Sequence, residues 1–175
     1  MPAPHHPFAR RTVDSPLGPI VLDATLRGLC SLSFGIRPSR HNLKPSNLPD
    51  AAPILDRAAQ ELTEYFHGTL RDFTVPLDAP GTPFQHRVWR ELIRIPMGQT
   101  ICYQELARRS GDINAARAVG AANGANPIAI VVPCHRVIAK DGTLHAYAGG
   151  LHKKRALLDH EFAVTGAVLC PIAPR

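Results

Sequence analysis

The residues YQELARRSGDINAARAVGAANG, at positions 103–124, predict two short helices joined by a tight turn. The first helix would run from Tyr103 to Arg109 and end before Gly111, a residue type that readily closes a helix. Asn114 can cap a second helix over residues 115–122. Two short helices joined by a glycine-containing turn are typical of a helix-turn-helix, and this predicts the architecture of the second half of the chain.

The second of these helices has unusually small side chains. Arg117 is its one long side chain, and it would project from a surface of methyl groups. One interpretation is that this arginine enters a DNA groove and fills the gap left by an extruded base. The alternative is a tightly packed core helix with an exposed arginine, and the residues alone favour that alternative slightly.

The first half of the chain has the pattern of a small domain of strands with one helix. Short apolar segments over residues 12–14, 20–22 and 29–34 predict three strands, and residues 54–66 predict an amphipathic helix. Another strand, at the edge of the sheet, is expected over residues 73–77. These elements predict a small α/β domain with an antiparallel sheet.

A linker and a new helix start mark the boundary between two domains. Thr82 followed by Pro83 predicts a helix with a side-chain cap and a first-turn proline, and a shorter helix is expected over residues 153–161. We therefore expect an α+β protein. The α/β domain would occupy residues 1–80, a mainly helical domain residues 81–165 and a tail residues 166–175, while the polar residues 37–50 predict a loop.

Charge is distributed unevenly along the 175 residues. The formal net charge is +6, and residues 82–161 hold eleven of the twenty Lys and Arg against six Asp and Glu. A basic half is typical of a protein that binds a polyanion, most often nucleic acid. A protein of high isoelectric point without such a partner explains the charge equally well, so charge alone leaves both interpretations open.

The composition also excludes several classes of protein. No apolar run approaches the ~20 residues that a membrane-spanning helix needs, and the N-terminal residues lack the apolar core of a secretion signal. The cysteines have neither the CxxC spacing of zinc sites nor the density of a disulfide scaffold; they are Cys30, Cys102, Cys134 and Cys170. We therefore expect a cytoplasmic protein with no membrane contact and no bound metal.

The pentapeptide PCHRV, at 133–137, follows the apolar run IAIVV, at 128–132, which predicts a buried strand. A cysteine beside a histidine at the end of such a strand is a candidate nucleophile with its base, because only the thiolate is a good nucleophile. Neighbouring side chains of an extended segment point in opposite directions, so contact between Cys134 and His135 needs a bend or a bridging water. Glu161 is a carboxylate that can orient the histidine.

Each of these motifs has an ordinary structural interpretation as well. An isolated Cys-His pair is more often a core cysteine beside a surface histidine. Asn126, before Pro127, can hydrogen-bond the backbone across a sharp turn, as most such pairs do. Tyr103 and the segment 147–150, YAGG, can wall a pocket for a planar base or form an ordinary helix start and turn.

Taken together, the motifs resemble one protein family. The chain contains these segments in order: RAVG at 117–120, NP at 126–127, PCHRV at 133–137, YAGG at 147–150 and LLDHE at 157–161. They resemble the O6-alkylguanine-DNA alkyltransferases, in particular the bacterial Ogt-type members. The resemblance is strong over residues 82–161 and weaker over residues 11–80, where DSPLG at 14–18 and EYFHG at 64–68 carry it. It overturns the structural alternatives given for each motif.

The resemblance implies a fold and a reaction. The N-terminal domain would be ribonuclease H-like, and the helix-turn-helix would bind duplex DNA from the minor groove and flip the damaged base. The alkyl group of O6-alkylguanine, and of O4-alkylthymine, would pass irreversibly to Cys134, once per chain. The reaction needs no cofactor and no metal. We expect a monomer, and we leave open whether it binds DNA cooperatively.

The resemblance also implies roles for individual residues. His135, acting through a water and oriented by Glu161, would take the thiol proton. Asn126 would hold the active-site turn together, and Tyr103 would crowd the DNA phosphate and protonate the leaving oxygen. Arg117 would take the place of the flipped nucleotide in the stack.

Two further groups of residues follow from the same resemblance. Those that would approach the DNA groove closely are Ala115, Ala116, Ala118 and Gly120. Those that would line the alkylguanine pocket are Val137, Tyr147, Ala148 and Gly149. The backbone carbonyls of Cys134 and Val137 would bind the amino group of the guanine.

The chain departs from the family pattern at a few positions. Cys102 stands where many relatives have a serine or threonine that caps the following helix, and cysteine is a poor cap. His145-Ala146 replaces a common Thr-Gly pair, and Ala148 replaces a serine of some relatives. Two other hypotheses are a non-catalytic lesion-binding protein, which Cys134 disfavours, and a cysteine hydrolase, which the lack of an evident oxyanion site disfavours.

Overall fold

Three antiparallel strands form the sheet of the N-terminal unit in the computed structural model, which describes residues 8–35 and 48–167. They are β1 (Ala9–Val13), β2 (Ile20–Ala24) and β3 (Leu29–Phe34), hydrogen-bonded in the order β1-β2-β3. Every residue of the central strand β2 is buried, so this strand forms the middle of the unit's core. The three predicted strands are confirmed, with bounds shifted by a few residues.

One amphipathic helix, α1 (Ala52–Phe66), packs on this sheet. Its buried apolar side chains recur three or four residues apart, as the sequence predicts; they are Leu55, Ala58, Leu62 and Tyr65. The helix begins two residues before the predicted start because a short 3₁₀ turn, Pro49–Ala51, leads directly into it.

The strand predicted over residues 73–77 is wrong. Only Leu77 forms a β-bridge, to Leu29. The backbone N–H groups of Thr74 and Val75 instead donate to the Glu61 carboxylate, at 3.0 and 3.1 Å. A buried carboxylate on α1 therefore satisfies the donors that a neighbouring strand would otherwise have paired.

The C-terminal unit begins with helix α2 (Pro83–Ile93). Thr82 caps it as predicted, and Gln85 completes a capping box: the Thr82 hydroxyl accepts from Gln85 N, and Thr82 N donates to the Gln85 side chain at 2.8 Å. Trp89, on the buried face of α2, donates its indole N–H to the Ala122 carbonyl at 2.9 Å.

The predicted helix-turn-helix is formed by α3 (Tyr103–Arg109) and α4 (Ala116–Gly124). Gly111, with φ of +103°, ends the first helix in the left-handed region. The predicted cap at Asn114 is wrong, because Asn114 lies inside a 3₁₀ turn (Ile113–Ala115). Asp112 caps that turn by accepting from Asn114 N at 2.8 Å.

Two further elements complete this unit. A short parallel ladder joins β4 (Ile101–Cys102) to β5 (Val137–Ile138). Helix α5 (Leu151–Thr165) is longer at both ends than the predicted segment 153–161, since it starts directly after Gly150 and ends at Gly166, which has φ of +65°.

The chain divides into two compact units, Met1–Pro80 and Gly81–Arg175. The antiparallel sheet of the first and the helices of the second confirm the predicted α+β fold class. In the ranges 8–35 and 48–167, no helix has the length and apolarity to cross a membrane. Most of the predicted loop 37–50, the tail beyond Ala167 and Cys170 lie outside the described residues.

Candidate active site

The apolar run 128–132 is buried, as expected, but it folds as consecutive turns. The prediction of a strand here was therefore wrong. Val132 N–H donates to the Ile128 carbonyl at 3.0 Å, and Val131 N–H to the Ala129 carbonyl at 2.8 Å. Ile130 has φ of +69°, a left-handed conformation that a β-branched residue rarely adopts. The run therefore closes on itself immediately before Cys134.

Asn126 ties this turn together with its side-chain amide. Its Nδ2 donates to the Val132 carbonyl at 2.7 Å, and its Oδ1 accepts from Ile128 N at 3.0 Å. The same side chain also favours the thiolate form of Cys134, because it lowers the thiol pKa against the effect of burial. Both polar ends of one buried amide are thus used to shape the backbone that carries the cysteine.

Cys134 begins a 3₁₀ turn, Cys134–Arg136, so its neighbour His135 does not project from the opposite face of a strand. The thiol is nearly buried, with 7% of the residue exposed. Burial raises the pKa of Cys134, whereas the hydrogen bond from Asn126 and the positive charge of Lys154 act in the opposite direction. Forming the thiolate here therefore depends on those two side chains and on a nearby base.

His135, Arg136 and Glu161 form a buried network around one carboxylate. Glu161 Oε1 lies 2.8 Å from His135 Nε2 and 2.9 Å from an Arg136 terminal nitrogen, and its Oε2 lies 2.9 Å from Arg136 Nε. Gly98 N–H donates to the same Oε2 at 3.2 Å. The sequence-based pairing of His135 with Glu161 matches this geometry, whereas Arg136 and Gly98 were missed.

The network sets the protonation states of its members. Burial opposes ionisation of Glu161, but the hydrogen bonds and charges of His135 and Arg136 outweigh burial and hold its pKa well below the usual range. Burial also lowers the pKa of His135, against the pull of Glu161. A neutral imidazole that donates through Nε2 to Glu161 leaves Nδ1 as an acceptor, and Nδ1 has no partner among the described residues.

Lys154, a residue of α5, is a fully buried lysine that the sequence interpretation missed. Its Nζ donates to the Val137 carbonyl at 2.7 Å and to the His145 carbonyl at 3.0 Å. Burial lowers its pKa to about 8, opposed by the Cys134 thiolate. Lys154 and Glu161 lie seven residues apart, two turns of one helix, and this spacing was the available signal that both face the site.

Two tyrosines of the predicted site lie close enough to Cys134 to interact with it electrostatically. Burial raises the pKa of Tyr103, and the Cys134 charge raises it further. The same two causes raise the pKa of Tyr147, with Glu161 adding to them. The Tyr147 ring meets the His135 ring edge to face, with centroids 6.5 Å apart. Both phenols are therefore protonated at neutral pH.

The pocket segment after Tyr147 is more open than the cysteine turn. Ala148 is exposed and Gly149 is partly exposed, whereas Val137 is fully buried. Gly150 N–H donates to the Tyr147 carbonyl at 2.9 Å and closes a turn that leads into α5. The structure thus brings Val137 and Tyr147 to the cysteine region and leaves Ala148 facing solvent.

The small-sided face of α4 is accessible rather than packed into a core. Arg117 and Ala118 are exposed, and Ala115, Ala116 and Gly120 are partly exposed. Gly120 lies against the Tyr103 ring, since a Cβ built at Gly120 would be 3.7 Å from Tyr103 Cδ1. The face that carries Arg117 is therefore continuous with one side of Tyr103.

The departures noted at Cys102 and at the pocket loop have visible consequences. Cys102 is the N-cap residue of α3 and makes no side-chain capping hydrogen bond. The His145 imidazole lies 2.9 Å from the Thr143 hydroxyl. Within residues 8–35 and 48–167, no group of three or more His, Cys, Asp or Glu side chains is placed to hold a metal ion.

Comparison with known proteins gives matches across both units. The sequence model of the 6-O-methylguanine DNA methyltransferase DNA-binding domain matches residues 83–163, and that of the ribonuclease-like domain of the same proteins matches residues 9–79. A methylated-DNA–protein-cysteine methyltransferase of Mycobacterium tuberculosis is 49% identical over 154 residues, which cover 86% of this chain and 90% of that protein. One of Methanosarcina barkeri is 43% identical over 149 residues, 85% of this chain and 94% of that protein.

Solved structures agree with these matches. The crystal structure of Mycobacterium tuberculosis OGT in complex with DNA is similar, with a TM-score of 0.80 and 47% identity; the match covers 89% of this chain and 94% of that chain. The O6-methylguanine-DNA methyltransferase of Pyrococcus kodakaraensis is 22% identical with a TM-score of 0.53, over 88% of this chain and 98% of that chain, and shows a shared fold alone.

Proposed function

Because this chain belongs to the 6-O-methylguanine DNA methyltransferase family, we propose that Cys134 is the residue that accepts the alkyl group from damaged DNA. The enzyme activity is that of a methylated-DNA–protein-cysteine methyltransferase, and the chain is a DNA-binding repair protein. The observation that carries the assignment of the acceptor is the setting of Cys134. Asn126 shapes the buried turn that leads to Cys134 and lowers the pKa of its thiol, and the adjacent His135 has an Nδ1 that can accept a proton.

The reaction begins with loss of the thiol proton. His135 keeps its Nε2–H on Glu161, so its Nδ1 is the ring nitrogen that can receive a proton from Cys134 through a water. Glu161 fixes the tautomer and stabilises the imidazolium once it forms. Arg136 keeps Glu161 ionised through two charge-assisted hydrogen bonds.

Alkyl transfer is an in-line displacement at carbon. The Cys134 sulfur forms a bond to the alkyl carbon, and the bond from that carbon to the guanine oxygen breaks. Tyr103 donates a proton to the departing oxygen, and its raised pKa keeps the phenol protonated before that step. His135 then returns the thiol proton to the phenolate, so protons balance and the guanine is left neutral.

The product is a thioether, and the described residues offer no route to break it. A thioether has no carbonyl or phosphoryl centre for a water to attack, and its sulfur is a poor leaving group. Each chain therefore reacts once. We infer the same stoichiometry for O4-alkylthymine, whose alkyl carbon is also bonded to an exocyclic oxygen.

The helix-turn-helix delivers the base to this pocket. Arg117, exposed on α4, takes the place of the extruded nucleotide in the stack. The small residues around it let the helix backbone approach the minor groove closely; they are Ala115, Ala116, Ala118 and Gly120. In the pocket, the base lies against the segment Tyr147, Ala148 and Gly149. The backbone carbonyls of Cys134 and Val137 accept hydrogen bonds from the amino group of the guanine. The protein acts as a monomer.

Intact-mass spectrometry tests this proposal directly. The protein is incubated with an excess of duplex oligonucleotide that carries O6-methylguanine, and the expected product is a chain with one added methyl group, mapped to Cys134. Two variants serve as a matched pair: Cys134→Ala removes the transfer, and Cys102→Ser, which replaces a partly exposed thiol, retains it.

Two outcomes would reject the proposal. Binding of the lesion by the wild-type protein with no change of mass would indicate a non-catalytic lesion-binding protein. Demethylation of more than one oligonucleotide per chain would indicate a hydrolase that releases the alkyl group. Repeating the assay with O4-methylthymine measures whether the second lesion is a substrate.

A further inference from the structure

Lys154 is buried deeply for a lysine, and its position follows from two hydrogen bonds. The Nζ donates to the carbonyl of Val137, the first residue of β5, and to the carbonyl of His145, two residues before Tyr147. These two carbonyls lie at the two ends of the segment that leads from the cysteine turn to the pocket tyrosine. Lys154 therefore ties together the two ends of one pocket wall.

The charges near Cys134 do not cancel. Arg136 is neutralised by Glu161 through two hydrogen bonds. Lys154 has no carboxylate partner among the residues that the structure describes, and both of its hydrogen bonds go to neutral carbonyls. A buried cation without a counter-ion is costly, and a thiolate at Cys134 is the anion placed to compensate it.

We propose that Lys154 is a positioning residue for alkyl transfer, which holds the Val137–His145 wall in place and favours the thiolate form of Cys134. This inference rests on the proposed role of Cys134 as the acceptor. A purely structural lysine would explain the two carbonyl contacts, but it would not make the reactivity of the thiol depend on the charge of Lys154.

Other ionisable groups around the thiol do not substitute for this charge. Tyr103 from α3 and Tyr147 from the pocket segment are neutral phenols at physiological pH, and a deprotonated tyrosine would oppose a thiolate. His135, the adjacent residue, is neutral in the resting site because burial lowers its pKa. Lys154 is the cation whose charge acts on Cys134, and Cys134 in turn favours the charged form of Lys154.

The coupling has a distinctive signature in the pH dependence of thiol reactivity. While Lys154 is protonated, the rate of alkylation by iodoacetamide rises tenfold per pH unit with the thiolate fraction. As pH passes the Lys154 pKa of about 8, loss of the ammonium offsets the gain in thiolate, and the rate should flatten. A structural role alone produces no bend at that pH.

The test measures iodoacetamide alkylation of Cys134 from pH 7 to pH 9.5 by peptide mass spectrometry, in the wild-type chain and three variants. Lys154→Met keeps the length of the side chain without its charge. We expect a rate about tenfold lower at pH 7, equivalent to a rise of one unit in the thiol pKa, and no bend near pH 8. Lys140→Met makes the same charge change at an exposed lysine and should match the wild-type profile.

Lys154→Arg keeps the charge but does not titrate in this range. We expect a rate at pH 7 close to that of the wild-type protein, with the bend near pH 8 abolished. If Lys154→Met does not fold, as judged by thermal unfolding, Lys154→Arg decides. A retained bend in that variant, or an unaltered profile in folded Lys154→Met, would overturn the inference.

The same preparations are assayed for methyl transfer from O6-methylguanine in duplex DNA. If the wild-type chain forms no thioether, the proposed function fails. If the wild-type chain forms the thioether and the pH dependence of iodoacetamide alkylation is unchanged in Lys154→Met, only the proposed role of Lys154 fails. Transfer by Lys154→Met should be slower by at least the factor seen with iodoacetamide, because the variant also loosens the pocket wall.

Discussion

His135 Nε2 and Glu161 Oε1 are joined by a 2.8 Å hydrogen bond, and both side chains are completely inaccessible to solvent. Burial makes this relationship asymmetric. The carboxylate keeps its charge because Arg136 also binds it, while the imidazole stays neutral and presents Nδ1. One carboxylate thus both orients the base and stabilises the buried guanidinium.

Replacing Glu161 with glutamine should destabilise the fold and slow alkyl transfer. Glutamine has nearly the same shape, but it leaves the Arg136 charge buried without a counter-ion. Breaking such a pair costs about 3 kcal/mol of unfolding free energy, measurable by urea unfolding at pH 7.5. Glu91→Gln is the matched control, because its partner Arg94 is largely exposed, and it should cost less than about 1 kcal/mol.

The stability difference between the wild-type chain and Glu161→Gln should depend on pH. The folded-state pKa of Glu161 lies below the ordinary value of 4.5, so the unfolded chain takes up a proton first as pH falls. The contribution of Glu161 to the free energy of unfolding is therefore fully present above the ordinary pKa of 4.5 and decreases as the pH falls below it. Urea unfolding at pH 7.5, 5.0 and 4.0 should give a difference that narrows only at the lowest pH. A constant difference would contradict the predicted pKa direction.

Gly98→Ala should destabilise the same network from the backbone side. Gly98 has φ of +75°, and a Cβ there would lie 2.2 Å from Thr165 Oγ1 on α5. The left-handed conformation costs about 1–2 kcal/mol for alanine, and moving Thr165 away adds to it. The N–H of Gly98 that binds Glu161 would shift as well, so transfer should also slow.

A control for Gly98→Ala is available in α4. A Cβ at Gly124 meets no atom within 4 Å, and this glycine does not have a positive φ. Gly124→Ala should therefore leave stability unchanged or raise it by about 0.5–1 kcal/mol, since alanine loses less conformational entropy in a helix. The two variants are compared by thermal unfolding. Equal losses of stability in Gly98→Ala and Gly124→Ala would contradict the prediction.

The sequence predicted the elements in which local signals and packing agree. Thr82-Pro83 begins α2, the apolar spacing from Leu55 to Tyr65 marks α1, and Gly111 ends α3. In each case a local rule about capping, periodicity or left-handed backbone favours the same conformation as the fold. The pairing of His135 with Glu161 was proposed from the residue types, and the resemblance of whole motifs to a family then favoured it over the structural alternative.

The rest depended on contacts between distant residues. The run 128–132 has the composition of a buried strand, but the Asn126 amide bonds both ends of it and makes a turn more favourable. Thr74 and Val75 are paired by Glu61, thirteen or fourteen residues away. The sequence around Lys154 is typical of an exposed, basic helix surface. Its burial depends on the Val137 and His145 carbonyls, which no local pattern indicates.

Asn126→Asp tests how the turn controls the thiol. Aspartate has the same shape but cannot donate to the Val132 carbonyl, and it places a negative charge against Cys134. We expect a loss of about 1–3 kcal/mol from the buried unsatisfied carbonyl and a higher thiol pKa, seen as slower iodoacetamide alkylation at pH 7. Asn114→Asp, in an exposed turn, carries the same chemical change and should alter neither quantity.

Arg117→Ala separates base flipping from the chemical step. Arg117 is exposed on α4, so its truncation should change the unfolding free energy by less than about 0.5 kcal/mol. Its role in the stack predicts that methyl transfer from O6-methylguanine in duplex DNA slows by about tenfold or more, since an extruded base costs a few kcal/mol in a duplex. Free O6-benzylguanine needs no flipping, so its reaction rate with Cys134 should be unchanged.

Arg71→Ala removes the same charge at an exposed arginine of the N-terminal unit that has no assigned role, and it should leave both rates within about twofold of the wild-type values. Rapid-quench single-turnover assays at fixed salt measure the duplex reaction, because salt changes DNA affinity independently of flipping. Equal losses by Arg117→Ala on the duplex and on the free base would mean that the arginine supports the pocket rather than the stack. A loss that disappears at saturating protein would assign it to DNA binding alone.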